Sequence, residues 1–337
     1  MADVGVVVIG RNEGPRLRDC LRAVLKHTSK VVYVDSGSTD GSVELACSMG
    51  ADAIALDKDA PFSAARGRNE GFVRLLSTHP KLDFVQFVDG DAVLVNRWIP
   101  VAVRALESDP RVAVVCGLRR ERHPEASVYN RMCDVEWNKP IGKGEACEGD
   151  AMMRPSAFTQ VGGFDSSLIA GEEPELCLRF RRAGWDILRL PDDMTLHDAG
   201  MLHFRQWWKR EARAGHAYAE GAAMYGVAHG LKRSAGIFFW GGALPLLTLL
   251  LLWPTRGLSL LPAAFLYMIL IYRAWRGTHR RAISFEDGVI YAVFCALGKF
   301  PMCVGQLHYW LRRLVGRRAK LIEYKRPGGS MLQVNEC

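Results

Sequence analysis

The chain has 337 residues, 49% of them hydrophobic, a mean hydropathy near zero and a formal net charge of +8. That length holds one large globular domain plus further elements, and the apolar content is high for a protein bathed only in water, so part of the chain is expected to meet lipid. The charge is unevenly placed: from Arg273 onward 12 Lys/Arg face 4 Asp/Glu, while the residues before carry 32 of each sign. A polyanion binder should carry its basic surplus on the folded domain. Here the surplus follows an apolar stretch, which suits anionic lipid headgroups and argues against nucleic acid as a partner. Nine cysteines are scattered without a C-x-x-C pair or zinc-like spacing, and are read as reduced thiols in a cytosol.

Met1 leads straight into the strand-like VGVVVIG, without the basic, apolar and cleavage regions of a secretory signal, so the first domain is expected to stay in the cytoplasm. From Val4 to about Asp91, buried-strand runs (VGVVVIG, KVVYVDSG, FVQFVDGD) alternate with helical patterns at about 15–27, 41–49 and 66–77. Such alternation predicts a parallel sheet in an α/β domain, with ligands bound at the carboxyl ends of its strands. Arg119 to Gly149 reads as a long polar excursion over that binding face. After it, GDAMMRPSAFTQVGGFD reads as strand, short helix and turn. EEPELCLRFRRAGW reads as a helix with Pro174 in its first turn and Gly184 just past its end.

Residues 235–253 hold no charged side chain and are long enough to cross a bilayer core. After Pro254, Thr255 and Arg256, a second apolar stretch at 257–272 could return, making a hairpin. Lys232 and Arg233 before it and Arg273, Arg276, Arg280 and Arg281 after it place both ends in the cytosol. The segment 289–310 is interrupted by Gly298, Lys299 and Pro301, and its crossing would put the Arg-rich tail outside, so it is read as interfacial or re-entrant. HFRQWWKREARAG, at 203–215, suits an amphipathic helix, lying either at the headgroup boundary or packed on the domain. The expected divisions are 1–226 catalytic, 227–326 membrane-associated and 327–337 a flexible tail.

FVQFVDGDAVL carries the sharpest chemical signal. Its strand period delivers Asp89 and Asp91 side by side, and two such carboxylates can hold a hard divalent cation, Mg²⁺ or Mn²⁺, that bridges to substrate phosphates. A D-x-D alone is equally a solvated turn.

Its context resembles glycosyltransferase family 2, whose members have the GT-A fold, over roughly Val4 to Gly226. The matching pieces run in family order: VVVIGRNEG, VVYVDSGSTDGS, ARGRNEGF, FVDGDAVL, GDAMMRPSAFTQVGGFD and GEEPELCLRFRRAGW. The resemblance implies a nucleotide-diphosphate sugar donor and assigns roles. Arg11, Glu13 and Asp35 fall in donor-binding segments, with Asp35 where the family reads base or ribose; a turn role for Asp35 stays open. Arg66, Arg68 and Asn69 match a segment approaching the donor, Arg68 being preferred to Arg66. Asp89 and Asp91, with His197 (His203 second), form the implied metal set.

Glu172 and Glu173 stand where the family has a Glu-Asp pair whose second acid is the general base of inverting transfer. A helix N-terminus stabilises such an anion. Gln206 and Arg210 match the Q-x-x-R-W signature of processive members too loosely to imply polymerisation. The expectation is a metal-dependent glycosyltransferase of the cytoplasmic membrane face. It would use a UDP- or GDP-sugar in exopolysaccharide or envelope glycan synthesis, with a lipid-linked or glycan acceptor.

Four readings compete, one of them a membrane scaffold protein, which would need none of these acids. Transfer to polyprenyl phosphate keeps the same site; a non-catalytic nucleotide-sugar sensor needs no base; a nucleotidyltransferase needs a basic Gly-rich signature that IGRNEGPR only imitates.

Overall fold

A computed structural model describes residues 2–278 and 283–316 of the chain, without the side chains of residues 227 and 228. Its strands are β1 (Val4–Gly10), β2 (Val31–Asp35), β3 (Asp52–Ala55), β4 (Phe84–Asp89), β5 (Ala92–Leu94), β6 (Val112–Glu121), β7 (Gly142–Lys143), β8 (Ala151–Met153) and β9 (Asp186–His197). The helices up to the second acidic pair are α1 (Pro15–Val24), α2 (Ser42–Ser48), α3 (Ala64–Thr78), α4 (Trp98–Ser108), α5 (Val128–Trp137), α6 (Pro155–Gln160) and α7 (Glu172–Arg182). Then come α8 (Phe204–Tyr225), α9 (Leu231–Phe238), α10 (Leu244–Leu252), α11 (Leu260–Thr278), α12 (Phe285–Leu297) and α13 (Lys299–Leu314).

The described residues fall into two compact units: 2–122 with 139–200, and 123–138 with those from 201 onward. In this division the first unit ends at Gly200, and α8, inside the first domain of the sequence reading (1–226), counts with the second unit. The excursion read between Arg119 and Gly149 is not one loop. β6 runs on to Glu121, and residues 128–137 form α5, which counts with the second unit.

The first unit is built on one mixed sheet in the order β3-β2-β1-β4-β8-β6-β9-β5, with β7 beside β9. The parallel half matches the expectation: β1 lies between β2 and β4 with Gly10 opposite Asp35 and Ile9 opposite Asp89. Its residues from Val4 to Ile9 are all buried, as a strand covered on both faces requires. β8 is antiparallel to both β4 and β6, and β5 is antiparallel to β9, so the sheet is mixed rather than all parallel. Helix α3 lies close on β1 because it offers glycines: a Cβ at Gly71 would stand 2.4 Å from Val7 Cγ1. Its start is capped by Ser63, whose Oγ accepts from the Arg66 N–H at 3.2 Å. Beneath, Phe72, Phe87, Phe158 and Phe164 pack with ring centroids 4.5 to 6.5 Å apart. Each such buried ring stabilises by roughly 1.5–3 kcal/mol.

In the second unit, α9, a π-helical turn (Phe239–Ala243) and α10 run on as a 22-residue helix, Leu231–Leu252, and α12 with α13 makes a 30-residue one, Phe285–Leu314. Both are long and apolar enough to cross a membrane. A 22-residue helix is about 33 Å long, against a hydrocarbon core of about 30 Å. The first covers the expected 235–253 span up to Leu252. The second is the segment read as interfacial, while the expected return arm at 257–272 lies in α11 from Leu260 on, and the last turns of that helix carry Arg273 and Arg276. The basic tail residues Arg317, Arg318 and Lys320, like Arg280 and Arg281, lie outside the described residues. Trp207 is a core residue here: it is 1% exposed and packs against Tyr129 and Phe294, with centroids 6.5 and 5.1 Å away.

Candidate active site

Three neighbouring parallel strands, β2, β1 and β4, end together, and the D-G-D turn follows the last of them. Gly90 makes that turn possible. Its N–H donates to Ile9 O at 2.8 Å, and a Cβ there would lie 3.0 Å from the same carbonyl. Past the turn, β5 pairs with the end of β9, setting Ala92 opposite His197. This register brings His197 Nε2 to 3.1 Å from Asp91 Oδ1 and 3.8 Å from Asp89 Oδ2. One ligand atom from each of Asp89, Asp91 and His197 lies within 4.8 Å of the others. Two carboxylates and an imidazole form a donor set suited to Mn²⁺ or Mg²⁺, so the residues present fit the ion that the sequence implied.

Around Asp89 the field is strongly positive. Arg68 Nη2 is 2.8 Å from its Oδ1, and Arg119 Nη2 is 4.0 Å from its Oδ2. Burial alone would raise the Asp89 pKa, but the Arg68 charge, the His197 contact and Arg119 outweigh it and hold the carboxyl well below the usual range. Asp89 is therefore a fixed anion. Both guanidiniums reach it past Gly149, which has φ +89 and no side chain. A Cβ there would stand 3.2 Å from Arg68 Nη2 and 3.4 Å from Arg119 Nη2.

Arg119 and Asp150 belong to this cluster and escaped the sequence reading. Asp150 is fully buried. Its Oδ1 accepts from the Asp89 N–H at 2.9 Å, its Oδ2 accepts from Thr195 Oγ1 at 3.0 Å, and Arg119 Nη2 lies 3.1 Å from it. The one signal was the Gly149-Asp150 pair opening β8, which sequence reasoning used only as a family marker.

The two acids of α7 diverge. Glu172 Oε1 accepts from Arg68 Nη1 at 2.9 Å, which joins it through that guanidinium to Asp89. Glu173 is 7% exposed, and its Oε1 accepts from the Cys147 N–H and from the Cys177 thiol, 3.1 Å away. Asp35 is buried at the end of β2. Its Oδ1 accepts from Tyr33 OH at 2.9 Å, and its Oδ2 accepts from the N–H groups of Gly37 and Ser38 at 2.9 and 2.7 Å. It thus shapes its own turn.

Other residues assigned to the donor are held elsewhere. Arg66 Nη1 donates to the carbonyls of Asp57 and Ala60, and Asn69 exchanges hydrogen bonds with the Phe164 backbone, 2.8 Å to O and 2.9 Å from N. Glu13 pairs with Arg16 at 2.9 Å, and Arg11 stacks 5.6 Å from the Phe62 ring centroid. These four frame the loops around the strand ends, whereas Arg68, Glu172, Asp89, Asp91 and His197 come together. His203, the second choice for a metal ligand, begins α8 in the second unit.

The glycosyl transferase family 2 model matches residues 5–153, which contain the parallel strands and the D-G-D turn. Those residues form a family 2 glycosyltransferase domain. The chain is 27% identical to the pre-mycofactocin glycosyltransferase of Mycobacterium tuberculosis over 347 aligned positions, covering 95% of this chain and 68% of that protein. It is 24% identical to the O-antigen chain rhamnosyltransferase RfbN of Salmonella typhimurium, over 54% of this chain and 61% of that one. Among solved structures, the mannosyltransferase PcManGT of Pyrobaculum calidifontis, in complex with GDP-Man and Mn²⁺, superposes with a TM-score of 0.55 at 19% identity. The match covers 93% of this chain and 87% of that one. That likeness supports the GT-A fold of this glycosyltransferase.

Proposed function

We propose that this glycosyltransferase is metal-dependent and inverting, and that it transfers a sugar from a UDP- or GDP-sugar to a lipid-linked or glycan acceptor at the cytoplasmic face of the cell's inner membrane. The observation that carries this is the convergence of Asp89, Asp91 and His197 at the strand ends beside Arg68, because a nucleoside diphosphate needs charge compensation where it departs. A cation held by Asp91 and His197, with Asp89 alongside, would supply Lewis-acid stabilisation of the diphosphate. Asp89 and Glu172 hold Arg68 in place, and Arg119 adds a second buried positive charge.

Between the two acids, Glu173 is the better proton acceptor. Glu172 is engaged by the buried Arg68 guanidinium, whereas the partners of Glu173 are a neutral amide and a thiol. The membrane part of the proposal is supported by two helices of spanning length. Leu246, Leu247, Leu249 and Leu250 on the first are all more than half exposed, as lipid-facing leucines are. The O-antigen rhamnosyltransferase similarity favours envelope glycan synthesis.

The test is Glu173→Gln in the full-length protein in membranes, offered a panel of labelled UDP- and GDP-sugars with Mn²⁺. Turnover should fall by 10² or more while Mn²⁺-dependent nucleotide binding persists. Wild-type turnover in this variant would remove Glu173 as the base, and turnover in chelator equal to that in Mn²⁺ would remove the metal.

A further inference from the structure

A second set of ligand atoms joins Glu173 to two buried thiols, Cys147 and Cys177, that the glycosyl transfer chemistry does not use. Glu173 and Cys177 are four residues apart on α7, so they share one helix face, and the loop between β7 and β8 brings Cys147 against them. Cys147 Sγ is 3.6 Å from Cys177 Sγ, Cys177 Sγ is 3.1 Å from Glu173 Oε1, and one ligand atom from each of the three residues lies within 4.8 Å of the others. Both cysteines are fully buried. They are free thiols, since a disulfide would require about 2.05 Å between the sulfurs.

These separations are close to the edges of a metal tetrahedron. Two sulfurs each about 2.3 Å from Zn²⁺ stand about 3.8 Å apart, and a sulfur and a carboxylate oxygen about 3.5 Å apart. Thiolates select soft or borderline cations, which the Asp89, Asp91 and His197 set does not. We propose that Cys147, Cys177 and Glu173 form a buried binding site for a soft divalent cation of the Zn²⁺ class, separate from the donor-site metal. On binding, each thiol releases its proton to solvent and bonds the cation as a thiolate, and the Glu173 carboxylate supplies an oxygen. The sequence hides this site, because the thirty-residue separation of Cys147 and Cys177 matches no zinc spacing. A consequence that rests on Glu173 being the base is inhibition: a carboxylate bonded to Zn²⁺ no longer accepts a proton.

The test uses the reduced full-length protein in detergent, its thiols counted, with Co²⁺ as the probe. One equivalent should bring up thiolate-to-cobalt charge-transfer absorption in the near ultraviolet that Zn²⁺ displaces. The band should survive Asp91→Asn and vanish in Cys147→Ser/Cys177→Ser; each single variant gives the same reading if the double one fails to fold. Absence of the band in fully reduced wild type overturns the proposal, as does a band that persists without the two cysteines. Zn²⁺ at the concentration that displaces Co²⁺ should also abolish turnover in excess Mn²⁺. Displacement without inhibition would keep the site and remove Glu173 as the base.

Discussion

Arg68 Nη1 lies 2.9 Å from Glu172 Oε1, and this pair ties the start of α7 to the helix packed against β1. The same guanidinium reaches Asp89, so one buried cation holds two carboxylates from distant parts of the chain. Arg68→Met should therefore strip both acids of this shared counter-charge, with Arg119 still 4.0 Å from Asp89. Breaking a buried pair from one side costs about 3–5 kcal/mol, enough to lower the unfolding midpoint by many degrees. Arg68→Lys keeps the charge but cannot donate to both acids in the same fork geometry, so an intermediate loss of stability and a loss of nucleotide affinity are expected. Thermal unfolding and nucleotide titration of the two variants check this, and Arg68→Lys matching wild type in both would sink the bridging role.

Asn69 makes a different prediction from its place in the sequence. Its amide spans the Phe164 backbone in both directions and adds a bond from Nδ2 to Ser166 Oγ at 3.1 Å, which pins the loop leading to Glu172 and Glu173. Asn69→Asp keeps the acceptor for the Phe164 N–H but loses the donor and sets a carboxylate against a carbonyl. Turnover should fall by about tenfold or more through misplacement of the acids, while donor affinity changes little. A rise in donor KM with kcat intact would instead make Asn69 a donor ligand.

How legible all this was depends on the range of each signal. The β1, β2 and β4 runs are continuous apolar stretches whose burial on both faces is written residue by residue, and the D-G-D turn follows from the strand period. His197 was found by resemblance and is placed by the register of β5 against β9, which no local pattern encodes. Arg119 and Asp150 were missed for the same reason: a buried ion pair between the ends of β6 and the start of β8 exists only once the sheet order is known. Trp207 was ambiguous because an aromatic among cations fits a lipid interface and a packed helix equally well until its neighbours are known.

The helices of the second unit meet through glycines. A Cβ at Gly215 on α8 would stand 2.0 Å from Met302 O, and one at Gly305 on α13 would stand 1.9 Å from Ala212 O. Backbone cannot yield as a side-chain tip can, so Gly305→Val must push α8 and α13 apart and lose the contacts along that crossing. The loss should reach about 3 kcal/mol or more, seen as early thermal unfolding of detergent-purified protein. Gly277→Ala is the control, since a Cβ there meets nothing within 4 Å. Equal effects from the two substitutions would dismiss close packing as the reason for these glycines.

Glu211 gives the second unit a pH dependence whose sign can be worked out. It is buried on α8 with Arg210 Nη1 3.0 Å from its Oε1, and that same nitrogen is 2.9 Å from Glu136 Oε2. Burial raises its pKa, Arg210 pulls it back, and Glu136 raises it further, so that it is pushed up to about 7. Unfolded, the carboxyl titrates near 4.3. Between those values the folded protein holds a proton that the unfolded chain has released, so stability falls as pH rises through the window and levels off above it. The total is on the order of 3–4 kcal/mol, at about 1.4 kcal/mol per pKa unit. Glu211→Gln, neutral throughout, should flatten the unfolding midpoint between about pH 4.5 and 7 and leave the variant more stable than wild type at pH 8. A wild-type midpoint that instead climbs across that window would mean that Arg210 holds Glu211 ionised, because a depressed pKa reverses the slope.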